Sequence, residues 1–347
     1  MIRIEMNGVG WLPKRHRCFG LWVILCAVMT SLGYPAKSQA ASAGSALQFN
    51  GTAGPAQYVT FGPAPGLGAS SFTLELWFKW GGGGLSTNTG SGGLTAAIPL
   101  LTKGSSEADL AGAGTNKDMN YFLGIQGGKL AADFEEGAGQ TTPSANHPIV
   151  GTLSISANIW HHAAVAFDGP TGTYTLYLDG VQDTQLILGA DHLPRSDSIQ
   201  HAALASSLTS DGNATGFFQG ALDEVRIWNV ARSLSQIQST LNQEITSAAN
   251  LIGRWGMNEC AGPIVADSSG SNVNGESVNG PIWVPGAPLN VSGNQAPVVD
   301  AGPDQSLTLP AVANLAGTAT DDGQPNPPGF LTTTWSLAAG PDRKSVV

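Results

Sequence analysis

The chain has 347 residues, 46 of them Gly and 21 Pro, and only 12% of its residues are charged. That composition fits a β-rich, turn-rich globular protein and argues against a helical bundle. With a formal net charge of −10 and no basic patch to offset it, the surface repels phosphate backbones and anionic lipid, which disfavours nucleic acid as a partner.

The first element in the chain is a leader. Lys14, Arg15, His16 and Arg17 precede the apolar run CFGLWVILCAVMTSL, and Ser38 to Ala40 (SQA) supply small residues at a cleavage position. This is the pattern of a secretory signal peptide, with the mature chain expected to start near Ala41. The run is shorter than the roughly 20 residues a membrane span needs, and no later segment comes close. Losing residues 1–40 removes Arg3, Lys14, Arg15, Arg17 and Lys37 against one acid, Glu5, so the mature charge falls to −14. Cys18 and Cys26 leave as well. Cys260 stands alone in the mature chain, which excludes an intrachain disulfide and a cysteine-based zinc site.

Strands and turns then follow at close spacing. In FTLELWFKW, Phe72, Leu74, Leu76, Phe78 and Trp80 share one face, and Thr73, Glu75, Trp77 and Lys79 share the other. That is the period of a half-buried strand, with the first set in the core. YFLGIQGGKLAADFE and WHHAAVAFDGPTGTYTLYLDGVQ break at glycine-containing turns, and Asp179-Gly180 is a strong hairpin signal. One segment after the leader reads clearly as helix. Ser233 and Gln236 form a capping box, and Leu234, Ile237, Leu241 and Ile245 fall on one face. Long stretches at Gly81–Thr95, Lys103–Asn120 and Gly189–Gly216 read as loops, the usual carriers of recognition on a rigid scaffold.

The order ALQFNG…YVTF, FTLELWFKW, PLLTKG, YFLGIQGGKL, WHHAAVAFDGPTGTYTLYLDGV, GFFQGALDEVRIWNVARSLSQIQ and NLIGRWGMNECAGPIVADSSG resembles a laminin-G-like jelly roll of the concanavalin A-like lectin superfamily, over about Ala46 to Ala287. The resemblance implies an all-β fold, a two-sheet antiparallel jelly-roll sandwich with one short helix, one sheet curved to make a concave surface. NLIGRW is expected to pair near the N-terminal strand. After a linker at 288–294, the segment with AGPDQ, LAGTATDD and TTTWSLAAGP resembles the start of an immunoglobulin-like module of the polycystic kidney disease type, running over 295–347. That module stops short of the length such a sandwich needs to close. Its last six residues, DRKSVV (342–347), match a translated sequencing-adapter string and are expected to be non-native. The domain order expected is therefore a signal peptide (1–40), a jelly-roll domain (41–287), a linker and an incomplete second module.

The polar residues most in need of explanation are Asp223 and Glu224, set in the apolar run ALDEVRIW. Strict alternation sends them to opposite faces, which prevents a facing carboxylate dyad within the strand. Glycosidases need two carboxyl groups about 5 to 9.5 Å apart across one scissile bond, and the Glu, Asp, Glu strand motif of laminarinase-type enzymes is missing here. Three readings remain for the pair: scaffolding, catalysis and calcium. Calcium wants six to eight oxygens, and the resemblance implies a structural ion near a sheet edge. The candidate metal ligands are Asp223, then Asp211 with Asn213 in TSDGNATG, then Asp267 in ADSSG, where a turn role competes. His161 and His162 begin a strand, and a hydrogen-bonded core histidine is the expectation for whichever faces inward. No nucleophile elbow, His-Glu-x-x-His or phosphate loop is present. Trp77 and Trp80 are candidate sugar-stacking surfaces, although the strand pattern puts Trp80 in the core, and the loops are poor in aromatics.

The sequence therefore reads as a secreted, noncatalytic binding or adhesion module for a glycan or an extracellular protein, part of a larger extracellular protein. The alternative is an accessory domain of a polysaccharide-degrading enzyme whose catalytic domain is not in this chain.

Overall fold

Asp179 and Gly180 adopt φ values of 52° and 71°, the left-handed pair that a two-residue hairpin turn requires, and they join strands exactly in register with that turn's demand, Leu178 opposite Val181. This hairpin is one edge of a β-sandwich in a computed structural model that describes residues 3–8, 44–107, 115–289, 298–300, 316–320 and 333–339. The chain divides into two units, 16–290 and the combination of 1–15 with 291–347.

In the smaller unit, β1 (Arg3–Gly8) pairs antiparallel with β21 (Thr333–Ala339), and β19 (Val298–Asp300) pairs with β20 (Thr318–Thr320). The expected leader run and its cleavage position, most of the linker, AGPDQ and the terminal DRKSVV lie outside the described residues.

The larger unit holds the other strands. They are β2 (Ser45–Asn50), β3 (Tyr58–Thr60), β4 (Phe72–Leu85), β5 (Ala97–Lys103), β6 (Tyr121–Gln126), β7 (Lys129–Asp133) and β8 (Ile149–Ser154). There follow β9 (Trp160–Asp168), β10 (Thr173–Leu178), β11 (Val181–Ile187), β12 (Ala202–Leu204), β13 (Ser206–Leu208) and β14 (Ala214–Trp228). Helix α1 (Leu234–Thr240) precedes β15 (Leu251–Trp255), β16 (Ile264–Val265), β17 (Gly275–Val278) and β18 (Ile282–Pro285). One sheet runs β11-β10-β9-β4-β14-β2-β18, with β13 and β15 also on β14; the other runs β16-β17-β3-β12-β5-β6-β7-β8. All these pairings are antiparallel. β15 takes over the edge of β14 at Val225–Trp228 just beyond the stretch that pairs with β2, which is the placement expected for NLIGRW.

Between the sheets sits one apolar core. Phe72, Leu74, Leu76 and Phe78 of β4 meet Leu123, Ile125, Leu130, Ala132 and Phe134 from the opposite sheet. Trp80 packs against its rim. Fully burying side chains of this kind contributes about 1.5–3 kcal/mol each.

The structure corrects the reading of β4 as half-buried. Its second face is closed too, with Thr73 and Glu75 inaccessible and Trp77 only 7% exposed. The cover is α1 and the segment around Ala287 and Leu289: Ile237 packs on Ala164, Ala166 and Tyr177, while Trp77 packs with Ala287 and Leu289 and donates from Nε1 to the Leu241 carbonyl. Trp77 is thereby removed as a sugar-stacking surface. The helix carries the expected capping box, but it ends at Thr240, one turn earlier than the apolar spacing to Ile245 suggests.

Two of the expected loops are partly strand. β4 continues through Gly81–Leu85 against Phe217 and Phe218, and β12 and β13 lie inside Gly189–Gly216. Gly84 allows this because its φ is 120° and a Cβ there would stand 2.7 Å from the Phe217 carbonyl oxygen. Sequence alternation cannot register a strand made of glycine.

Candidate functional site

The pair Asp223 and Glu224 sits at a β-bulge. Asp223 is opposite Trp77 and Arg226 opposite Glu75, so Glu224 and Val225 together face Leu76, and Glu224 adopts φ 48°. The extra residue reverses the alternation: Leu222 and Val225 both enter the core, while Arg226 turns to the face covered by α1. Strict alternation along ALDEVRIW would instead put Val225 on the face of Asp223.

Both carboxyl groups are buried and committed. Glu224 receives Nε of Arg254 at 2.9 Å and a second, very short bond from its Nη2, and it accepts the Ile245 N–H at 3.2 Å. The Ala287 N–H donates to Asp223 Oδ2 at 2.7 Å, and burial first, then the charge of Glu224, pushes the Asp223 carboxyl well above the usual range. Nearby, Glu75 collects Trp228 Nε1 and Arg232 Nη1, each at 2.6 Å, with Arg226 Nε at 3.7 Å. His162, wholly buried, lies 3.7 Å from Glu75, and burial lowers its pKa to about 4. It is a neutral core histidine held by packing, whereas His161 bonds Asp179 at 2.7 Å.

The other candidate ligands are held separately. Asp211 and Asn213 are exposed in the turn between β13 and β14, where the Asn213 N–H donates to Thr209 Oγ1. Asp267 caps its own turn, accepting the N–H groups of Arg254, Ser269 and Val273. Among the described residues, one set of three or more His, Cys, Asp or Glu side chains has ligand atoms mutually within 4.8 Å, and it contains none of Asp211, Asp223 or Asp267.

That set is Glu136, His147 and His192, at the end of the other sheet. Alternation along β7 continues into the segment after it: Leu130, Ala132 and Phe134 enter the core, and Ala131, Asp133 and Glu135 fall on the opposite face. Loop residues close over that face, Leu94 and Met119 packing on Phe122 and Ala131. Asp133 accepts Thr89 Oγ1 at 2.5 Å and the N–H groups of Leu94, Phe134 and His147. Glu135 accepts the Met119 N–H at 2.5 Å and Asn146 Nδ2 at 3.3 Å. Burial raises Asp133 to about 7 and, with the neighbouring charges of Asp118 and Asp133, Glu135 to about 8. Neither carboxyl faces a partner across an open groove; both are sealed beneath the loops.

The next residue, Glu136, turns toward the loops instead. His147 Nε2 lies 2.6 Å and His192 Nδ1 2.5 Å from its Oε1, while the Thr142 N–H donates to Oε2 at 2.7 Å. Burial opposes its charge, but these bonds outweigh it and hold its carboxyl below the usual range. Beside it Arg195 is clamped by Asp118, through Nε at 2.9 Å and Nη2 at 2.5 Å. Arg195, Gln140, Leu193, Pro194, Ser196, Asp197, Gly137 and Ser70 enclose an open cleft of about 320 Å³. A larger hollow of about 470 Å³ lies against α1; of its charged lining residues, Arg232 is spent on Glu75 and stacks on Trp228 at 4.3 Å, and Glu244 accepts from Asn258 Nδ2 and lies 3.8 Å from Arg254.

A family model described as the concanavalin A-like lectin/glucanases superfamily, Laminin_G_3, matches residues 52–238. The chain belongs to this superfamily. The superfamily assignment covers the strands from β3 to β14 and most of α1, and thus both carboxylate regions. No curated protein sequence matches the chain. Among solved structures, it is similar to a candidate carbohydrate binding protein from Bacteroides ovatus at 18% identity and TM-score 0.49, covering 72% of this chain and 62% of that one. It is similar to the CBM40 module of a Ruminococcus gnavus sialidase at 16% identity and TM-score 0.41, covering 56% and 96%. The heptameric SAP-like pentraxin of Limulus polyphemus is 14% identical, with TM-score 0.37, covering 56% and 80%.

The residues of the β7 end were missed in the sequence because they are far apart in it. The one available signal was the period-two pattern of LAADFEE, which sets Asp133 and Glu135 on one face. Nothing in the sequence ties His147 to His192.

Proposed function

We propose that the larger unit is a noncatalytic glycan-binding module of a secreted, multidomain extracellular protein, and that the cleft beside Arg195 receives the sugar. The observation that carries this reading is the lining of the cleft: Arg195, fixed by Asp118, shares one open hollow with Gln140, Ser196, Ser70 and Asp197. Fixed planar donors and acceptors match the vicinal hydroxyls of a sugar, and such groups give a pocket its orientation and specificity. Asp118 already neutralises Arg195, and Asp197 stands 3.8 Å from it, so the cleft suits a neutral rather than an anionic glycan. The net charge of −10 acts in the same direction. The sealing of Asp133 and Glu135 beneath the loops supports binding over hydrolysis. An accessory role beside a polysaccharide-degrading domain would use the same cleft.

The test is a glycan array probed with the full chain, once with Ca²⁺ and once with chelator. A neutral glycan should be bound, and Asp197→Ala, whose side chain is 64% exposed, should weaken it about tenfold, which corresponds to about 1.4 kcal/mol. Binding that requires Ca²⁺ would assign a ligand-bridging role to the calcium expected from the sequence. An array with no bound glycan in either condition overturns the reading.

A further inference from the structure

We propose that Glu136, His147 and His192 form a binding site for a zinc-class divalent ion. Three side chains from three separate segments aim one donor atom each at a single point. His147 approaches through Nε2 at 2.6 Å and His192 through Nδ1 at 2.5 Å, both onto Glu136 Oε1, and the two imidazoles stand edge to face with centroids 5.4 Å apart. Two imidazole nitrogens and one carboxylate are the borderline donor set that suits Zn²⁺ and its neighbours; Ca²⁺ and Mg²⁺ require more oxygens than this group supplies.

The donors are held before any ion arrives. The Glu136 N–H donates to the Ala145 carbonyl and the Ser144 N–H returns a bond to the Glu136 carbonyl, which fixes the loop that carries His147. The Gly137 N–H donates to the Leu193 carbonyl and the Thr141 N–H to that of Asp191, which docks the segment that carries His192. The His147 N–H is held by Asp133 Oδ1 and its ring packs on Phe134 at 4.9 Å. The Thr142 bond to Glu136 Oε2 orients the carboxylate, the second layer of contacts that metal ligands usually have.

The required adjustment is small. In a tetrahedral zinc site with bonds of about 2.0–2.1 Å, donor atoms stand roughly 3.3 Å apart, so each nitrogen must retreat from Oε1 by less than about 1 Å. The room lies on the solvent side, where the His147 and His192 side chains are 14% and 24% exposed while Glu136 is enclosed. In the ion-free arrangement each imidazole points an N–H at the carboxylate. The ion replaces those two protons: a neutral imidazole moves its proton to the other ring nitrogen, and a charged one releases a proton to solvent. Zinc and protons therefore compete for the same two ring nitrogens. Three protein ligands leave one position for water or a ligand. Gly137 and Leu193, the chain neighbours of two of the ligands, line the cleft, so the ion would pin two of its walls.

The site does not depend on glycan binding, and its test uses metal alone. Tag-free full-length protein, stripped with chelator, is titrated with Co²⁺ at pH 7.5 and followed in the visible range. One equivalent should produce the intense absorption of a low-coordinate cobalt centre, which added Zn²⁺ abolishes and Ca²⁺ leaves intact. Isothermal titration should give a Zn²⁺ affinity that falls at least about tenfold in His147→Ala and in His192→Ala, and again in His192→Gln, which preserves hydrogen bonding to Glu136. Circular dichroism establishes that each variant is folded, and His201→Ala, outside the site, should bind as the parent does. A featureless cobalt titration overturns the proposal. So does Zn²⁺ binding that survives the loss of both histidines.

Discussion

The two carboxylate-rich regions of the sandwich use the same residue types to opposite ends. Against α1, two acids are matched with arginines, Glu75 with Arg232 and Arg226 and Glu224 with Arg254, while Asp223 is held by the Ala287 N–H, under cover of the helix and the segment after it. At the end of β7, Arg195 clamps Asp118, while Asp133, Glu135 and Glu136 are held by backbone N–H groups, a threonine, an asparagine and two histidines. In the first region charge is neutralised in place, which makes scaffold. In the second it is only partly neutralised, and burial raises Asp133 to about 7 and Glu135 to about 8, beside an open cleft. The lesson is that burial alone does not distinguish structure from function; the balance of partners and access to solvent do.

The largest expected effect breaks the matched region. Glu75→Gln removes the charge that serves Arg232 and Arg226 and should destabilise the larger unit by about 3–5 kcal/mol in urea unfolding, the cost of leaving a buried charge uncompensated. A loss below about 1 kcal/mol would mean that this network is not the scaffold described.

The next sharpens the comparison through pH. His162 takes a proton near pH 6.5 when unfolded but, because burial disfavours its charge, only near 4 when folded. The unfolded state therefore binds more protons between those values, and stability is lost as pH falls through that window. Relative to His162→Asn, the parent should lose about 3 kcal/mol between pH 7 and pH 4, read from unfolding curves at both. Parallel pH profiles for the two proteins would contradict the buried neutral histidine.

A smaller effect tests the cover itself. Ser233→Ala removes the capping-box acceptor for the Gln236 N–H and should cost about 1 kcal/mol, with increased hydrogen exchange at Trp77 Nε1, which bonds to Leu241 just past the helix. The smallest change is the most telling contrast. Glu135→Gln makes the same chemical substitution as Glu75→Gln at a site equally closed, yet at pH 6 it should cost about 1 kcal/mol or less, because the carboxyl it replaces is already neutral there. Equal losses at Glu75 and Glu135 would erase the distinction between the regions.

Much of the fold was legible in the residues. The alternation of β4, the turn at Asp179-Gly180, the capping box at Ser233 and the order of motifs all follow from local rules, and each is found where expected. The candidate site was legible only in part. Glu224 carries no local sign that it sits at φ 48° and shifts the register of β14 against β4. The glycines of Gly81–Leu85 have no side chains with which to display a strand period. The sealed outer face of β4 depends on Ile237, Leu241 and Leu289, which arrive from far along the chain.

What the sequence determined by itself was the all-β sandwich, its superfamily and the capped helix at Leu234–Thr240, because pattern, turn chemistry and capping act over a few residues. Only the tertiary structure decided that Asp223 and Glu224 are buried and hydrogen-bonded, and that Glu136, His147 and His192 meet, 56 residues apart at the widest. Those outcomes depend on strand register and on loops docked by backbone hydrogen bonds. Neither leaves a periodic trace in the order of the amino acids.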